Sequence, residues 1–306
     1  MPLLTQNKRI DRVISTTDLF SNYSHLKENA KTFLSKPLVT VDPKCLLYVQ
    51  QREFAATTPA DNSVSIIGSE DATTCHLVVL RHTGSGATCL AHLDGSKTWT
   101  EVLLLVNAVT ALSNPAKPGR LELHLVGGFD DDNKMSHKLS CEILAEFQKQ
   151  KEEIHLETCC ITDMNDVVTD GIHRPIIYGI GVNVKTGEVF PAVFPHRGPA
   201  EDLRSARSFT GGQIANVYDS SKEQLKIGPC RWPPNMDIAF WLDEDDETIL
   251  QCLSTSPYAE PPHFVQHIKS TIRFLLEHPN PDALFPGSQP QLFQRSEQGE
   301  WERVCP

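Results

Sequence analysis

Cys75 closes a polar run, residues 68–74 (GSEDATT), and precedes an apolar one, residues 76–82 (HLVVLRH). A cysteine at such a loop-to-strand junction can carry its sulfur at a sheet edge, beside backbone N–H groups that the turn leaves free. Such groups stabilise both a thiolate and an oxyanion, as nucleophilic attack on a carbonyl carbon requires. The base comes from the next strand. Residues 83–86 (TGSG) read as a hairpin turn between strands 75–82 and 87–94. A two-residue Gly84-Ser85 turn makes paired positions sum to 169, so that Cys75 faces Asp94 and His92 sits diagonally on the same face. A Thr83-Gly84 turn gives 167 and sets His92 directly opposite Cys75. A three-residue loop would part them onto opposite faces. Two of the three registers therefore give a Cys-His pair, with Asp94 as one group that could orient the imidazole. His76 and His82 lie an odd number of residues from Cys75 along the strand and point away from it. The same spacing also suits an ordinary buried Cys–His pair.

Other chemistries find less support. There is no phosphate loop, dinucleotide fingerprint or zinc-helix motif. Cys89 and His92 supply two metal-ligand types where a closed zinc site needs four, and Cys159 and Cys160 alternate across a strand, so no metal is expected. Cys141, Cys159 and Cys160 read as small buried apolar residues.

The elements that would position these groups follow from periodicity. Residues 19–34 have rough helical spacing. Short β-rich runs at 64–67, 120–128, 154–162, 175–184 and 188–194 read as strands, and 99–112, 134–149, 199–209 and 263–277 as helices. Further short strands are expected near 214–218 and 237–241. Residues 257–262 (PYAEPP) form a rigid loop before the last helix. With no repeat, low-complexity tract or linker, the reading is one α+β domain over residues 1–306, its helices packed on one side.

Composition narrows the partners. The 306 residues carry 28 Lys and Arg against 39 Asp and Glu, a formal net charge of −11. Basic residues are scattered, so a phosphate backbone would be repelled and no nucleic-acid partner is expected. The most apolar stretch, 102–109, is too short to span a bilayer, so no membrane association is expected either. The first residues lack the apolar core of a signal peptide. Together with an odd count of nine cysteines, that points to reduced thiols in the cytoplasm or nucleus.

Several long stretches resemble the eukaryotic protein N-terminal asparagine amidohydrolase family: residues 46–53 (LLYVQQRE), 68–76 (GSEDATTCH), 79–84 (VLRHTG), 124–129 (HLVGGF), 253–257 (LSTSP), 259–265 (AEPPHFV) and 284–287 (LFPG). They span nearly the whole chain. The resemblance implies removal of the side-chain amide from a first-position asparagine, leaving aspartate, as the opening step of the N-degron route to ubiquitin-dependent degradation. It implies kinship with cysteine hydrolases such as the chemotaxis-receptor deamidases and cytotoxic necrotizing toxins, and so an α-β-β sandwich with a Cys-His-Ser/Thr triad. In those deamidases the hydroxyl residue stands six positions before the cysteine and the histidine seventeen after. Those offsets fall on Ser69 and His92 around Cys75. No cofactor is implied, and the expected partners are proteins or peptides with a free N-terminal asparagine, met by a monomer.

Such an enzyme must read an α-ammonium group, for which Glu260 in the proline-bounded loop is the candidate carboxylate. Phe129, after Gly127-Gly128, reads either as a pocket wall against a longer glutamine side chain or as an ordinary core residue. Two other functions remain open on sequence: a deamidase of internal glutamines, and a non-catalytic adaptor for N-terminal asparagine.

Overall fold

The computed structural model describes residues 2–234 and 237–305. Its centre is an eight-stranded mixed sheet. From edge to edge it runs Ala215–Asn216, Glu53–Thr57, Thr88–Leu93, His76–His82, Leu121–Gly127, Ile154–Ile161, Leu3–Thr5 and Lys8–Arg9. A five-stranded sheet runs Val39–Thr40, Val189–Val193, Ile180–Asn183, Ile66–Ser69 and Leu46–Tyr48.

The two-residue period of the strands sorts their side chains into two cores. Val78, Leu80, Cys89, Ala91 and Leu125 face a helical layer that includes Thr98–Leu112 and Met135–Gln148, where they meet Val102, Leu105, Ile143 and Phe147. Leu77, Val79, Leu90 and Val126 face the other way and pack on Leu47, Ile67, Ile180 and Val182 of the smaller sheet. Helices, large sheet and small sheet are therefore stacked in that order, a mixed α+β arrangement.

Not all helices lie on one side, as periodicity alone had led us to expect. Leu203 and Ala206 of the Glu201–Phe209 helix, and Leu275 of the Phe264–Glu277 helix, join the core on the opposite face of the large sheet. Three other local expectations differ. Residues 19–34 form two helices, Thr16–Asn22 and Ser24–Leu34, because Tyr23 leaves helical geometry at φ −127°, ψ 71°. The strand expected over 175–184 starts only at Ile180; before it, the Ile176 and Ile177 N–H groups bond to Asn165 rather than to a ladder. Residues 239–242 form a 3₁₀ turn where a strand was expected.

The hairpin adopts the register in which paired positions sum to 169, from His76 opposite Leu93 through Leu77 opposite His92 to Arg81 opposite Thr88. Its turn is wider than two residues. His82 N–H donates to Ala87 O (2.9 Å) and Gly86 N–H to His82 O (2.8 Å), leaving Thr83 to Gly86 as a four-residue loop. Gly86, at φ +74°, supplies the left-handed residue that closes it. The loop widens symmetrically, so the register is kept.

Candidate active site

Cys75 is the last residue before the His76–His82 strand and is half-buried. Gly127 and Gly128 brace it from behind. The Gly128 N–H donates to Cys75 O at 3.0 Å, and a Cβ on Gly127 would sit 2.4 Å from that same oxygen. No side chain fits there, so the glycine pair fixes the height of the nucleophile's backbone. The Cys75 N–H itself donates to no acceptor among the described residues.

His92 lies in the next strand with its ring in the gap between the sheets, where Ser69, last residue of the small sheet's Ile66–Ser69 strand, meets it. Ser69 Oγ is 2.8 Å from His92 Nδ1, both fully or nearly fully buried. In the tautomer that donates Nδ1–H to Ser69, Nε2 carries a lone pair, and Nε2 has no hydrogen-bond partner among the described residues. Cys75 and His92 line one cavity of about 460 Å³. Burial pushes the Cys75 thiol well up, helped by Asp94 and Glu260, and pushes His92 down to about 4. Both shifts favour a neutral thiol and a neutral imidazole at neutral pH.

Asp94 also lines the cavity but does not orient the imidazole. Its Oδ2 accepts from Arg52 Nε (2.6 Å) and Gln51 Nε2 (2.8 Å), and its Oδ1 from the Ser96 N–H (3.1 Å). Phe129 is not at the cavity at all. The left-handed turn at Gly127 and Gly128 carries the chain away toward the Met135–Gln148 helix, where Phe129 is buried and its N–H donates to Ser136 Oγ at 3.2 Å.

Glu260 lines the cavity and accepts a hydrogen bond from Ser254 Oγ at 2.5 Å. It differs from the other cavity carboxylates in making no ion pair among the described residues. Glu70 and Asp71 both pair with Arg197 (2.9 and 2.7 Å), Asp71 also meets His263 Nε2 (2.9 Å), and Asp94 has Arg52. Burial, helped by the Asp71 charge and opposed by the Ser254 contact and His263, raises the Glu260 carboxyl to about 7.

Those pairings show what single-sequence reasoning missed. The loop between Ser69 and Cys75 is clamped by residues far along the chain, at 197 and at 255–256. Arg197 holds Glu70 and Asp71, Ser256 Oγ donates to Thr73 Oγ1 (2.8 Å), and Thr74 Oγ1 meets Thr255 Oγ1 (3.0 Å). The LSTSP and AEPPH stretches were the available signal. The first contains Thr255 and Ser256 and the second His263, but Arg197 lies outside both and only the fold brings them to the loop.

A family model described as protein N-terminal asparagine amidohydrolase matches residues 36–303, which include every residue named above at the cavity. The chain belongs to this family. Curated proteins named protein N-terminal asparagine amidohydrolase agree. That of Mus musculus is 51% identical over 305 residues, 99% of this chain and 98% of the relative. That of Homo sapiens is 50% identical over the same shares, and that of Arabidopsis thaliana is 31% identical over 92% of this chain and 88% of its own. As a member of this amidohydrolase family the protein is a hydrolase acting on an amide C–N bond.

Proposed function

We propose that this protein deamidates the side chain of an N-terminal asparagine to aspartate, with release of ammonia, by a Cys75–His92–Ser69 thioester mechanism. The observation that carries the reading is the imidazole held by Ser69 across the gap between the sheets, its other nitrogen unpaired, on the cavity that contains Cys75. His92 Nε2 takes the thiol proton as sulfur attacks the side-chain carboxamide carbon. The oxyanion is received by the Cys75 backbone N–H. The imidazolium returns its proton to the departing nitrogen, and ammonia leaves a thioester. His92 then activates water, and hydrolysis frees the aspartate and the thiol. Ser69 keeps the ring in the productive tautomer throughout, as a third triad member does.

Glu260 is the reader of the α-ammonium. It is the cavity carboxylate that makes no ion pair among the described residues, and a bound N-terminus would supply one. The helix–sheet–sheet layering supports kinship with the cysteine hydrolases of the chemotaxis-receptor deamidase and cytotoxic necrotizing factor type. In the cell the product would be a substrate for arginylation in the N-degron pathway, the enzyme working as a cytoplasmic and nuclear monomer on proteins and peptides that begin with asparagine. The test is mass spectrometry of an Asn-initiated peptide. The wild type should add one dalton with stoichiometric ammonia, and Cys75→Ala should not. An unchanged peptide mass with the wild type, or undiminished turnover by Cys75→Ala, would overturn the reading. An Nα-acetylated peptide should be spared.

A further inference from the structure

Deamidation turns a neutral side chain into an anion in the same pocket, so the pocket's own charges decide how the product is treated. The cavity is lined by four carboxylates, Glu70, Asp71, Asp94 and Glu260, against two guanidinium groups, Arg52 and Arg197. The buried carboxylate of Glu101, in contact with Ser96 (3.0 Å), stands behind Asp94.

Asp94 holds the pivotal place. It follows the strand that ends at Leu93, just as Cys75 precedes Leu93's partner His76, and both residues line the cavity. Its side chain is only 9% exposed, and three donors from Arg52, Gln51 and Ser96 hold it still. Burial opposes its charge, but the Gln51 and Arg52 contacts outweigh that and keep it ionised. Arg52 pairs with it but leaves it at the cavity wall, and at the Cys75 thiol Asp94 pushes the pKa up while Arg52 pulls it down.

The charge at the reacting centre can be followed through the reaction on the deamidase reading above. Thiol, imidazole and amide enter neutral. Thiolate and then oxyanion each arise together with imidazolium, so the net charge does not change, and a fixed anion nearby favours the imidazolium half while opposing the anionic half. Only after water has been split and His92 is neutral again does an unpartnered negative charge remain, on the new carboxylate. An anionic wall therefore costs the transition state little and the product a great deal.

We propose that Asp94, anchored by Arg52, is the specificity-determining charge that lets this cavity bind an asparagine side chain and expel the aspartate it becomes. The enzyme is thereby protected from its own product, and Asp-initiated proteins that accumulate do not occupy it. Asp94 acts through its field, not as a proton carrier.

The test compares dissociation constants of an Asn-initiated and an Asp-initiated peptide of the same downstream sequence, on Cys75→Ala protein at pH 7.5. The Asp peptide should bind at least tenfold more weakly. Adding Asp94→Asn should bring that ratio close to one, and Asp94→Glu should restore it. If Asp94 were only a structural anchor, both peptides would weaken alike and the ratio would persist, which would overturn the proposal. Should Asp94→Asn fail to fold, the side-chain methyl ester of the Asp peptide decides on the Cys75→Ala protein. The neutral ester should bind about as well as the amide, and an ester as weak as the free acid would make the exclusion steric and sink the charge argument. Ammonia release by the wild type separates the two levels. No release refutes the deamidase reading, whereas release with equal Asn and Asp affinities refutes only the role of Asp94.

Discussion

His76 and His92 lie on neighbouring strands, one ladder step apart, yet on opposite faces of the large sheet. Their surroundings match closely. Both are buried, at 0% and 3% exposure. Each has one ring nitrogen on a serine hydroxyl, His76 Nε2 on Ser140 at 2.6 Å and His92 Nδ1 on Ser69 at 2.8 Å. The other nitrogen of His92 is without a partner among the described residues, that of His76 has at most a weak contact with the Thr74 backbone, and burial lowers both rings to about 4. They differ in what lies beyond that nitrogen. His92 opens on the cavity that holds Cys75, whereas His76 is sealed under the helical layer, with Ser140 passing its contact on to Thr162 (2.8 Å). A depressed histidine with a serine partner is therefore not in itself a catalytic signature; access and a nucleophile make it one.

The comparison breaks most cleanly at the rings themselves. His92→Asn should lower kcat by roughly a thousandfold or more, since general-base and general-acid steps both fail. His76→Asn should leave kcat within a few-fold and instead lower Tm by several degrees, because it disturbs a buried polar contact worth roughly 1–3 kcal/mol. Steady-state kinetics and thermal melts on the same preparations check both. Equal kinetic losses at the two positions would erase the distinction between the faces.

The serines sharpen it at smaller scale. Ser69→Ala should cost roughly tenfold to a hundredfold in kcat with little change in KM, as the ring loses its tautomer control but not its lone pair. Ser140→Ala should cost stability alone. A Ser69→Ala enzyme with full activity would leave the imidazole without a needed orienter, since Asp94 is occupied by Arg52 and Gln51.

How far the sequence foretold this depends on how local each signal was. Strand parity and the glycine-rich turn sufficed for the hairpin, and parity also turned His76 away from Cys75. Its loop was drawn too narrow, but a symmetric widening does not shift a register. Ser69 could be named only through family spacing, because it sits on another sheet and no periodicity links that sheet to His92. Phe129 takes the core place of its two readings, which stayed open because a glycine pair says that the chain turns, not which way. The Arg197 clamp was invisible for a simpler reason: Arg197 and Glu70 are 127 residues apart, and charges scattered singly along a chain do not reveal their partners.

Acidity separates the groups by the smallest and most graded effect. His92 sits at about 4 against an ordinary 6.5, so its neutral, base-competent form persists as pH falls from 7 to 5. kcat should be flat there and decline only toward pH 4. Glu260 sits at about 7, above its ordinary value, so its charge is lost as pH falls through 7, and with it the attraction for an α-ammonium. kcat/KM should then drop by up to about tenfold per pH unit below 7, and decline again above pH 8 or so as the peptide's own amine, of pKa roughly 7.7–8.0, loses its proton. His76 should be silent in both profiles. It registers in stability instead: the unfolded ring binds a proton below 6.5 while the folded one resists until about 4, so the fold weakens across that window, and His76→Asn should flatten part of the slope. Glu260→Gln should raise KM near neutral pH and abolish the limb at 7 while leaving the kcat profile in place. If the limb at 7 survives in Glu260→Gln, the ammonium is read by another group, and the division of labour between a reading carboxylate and a buried base must be redrawn.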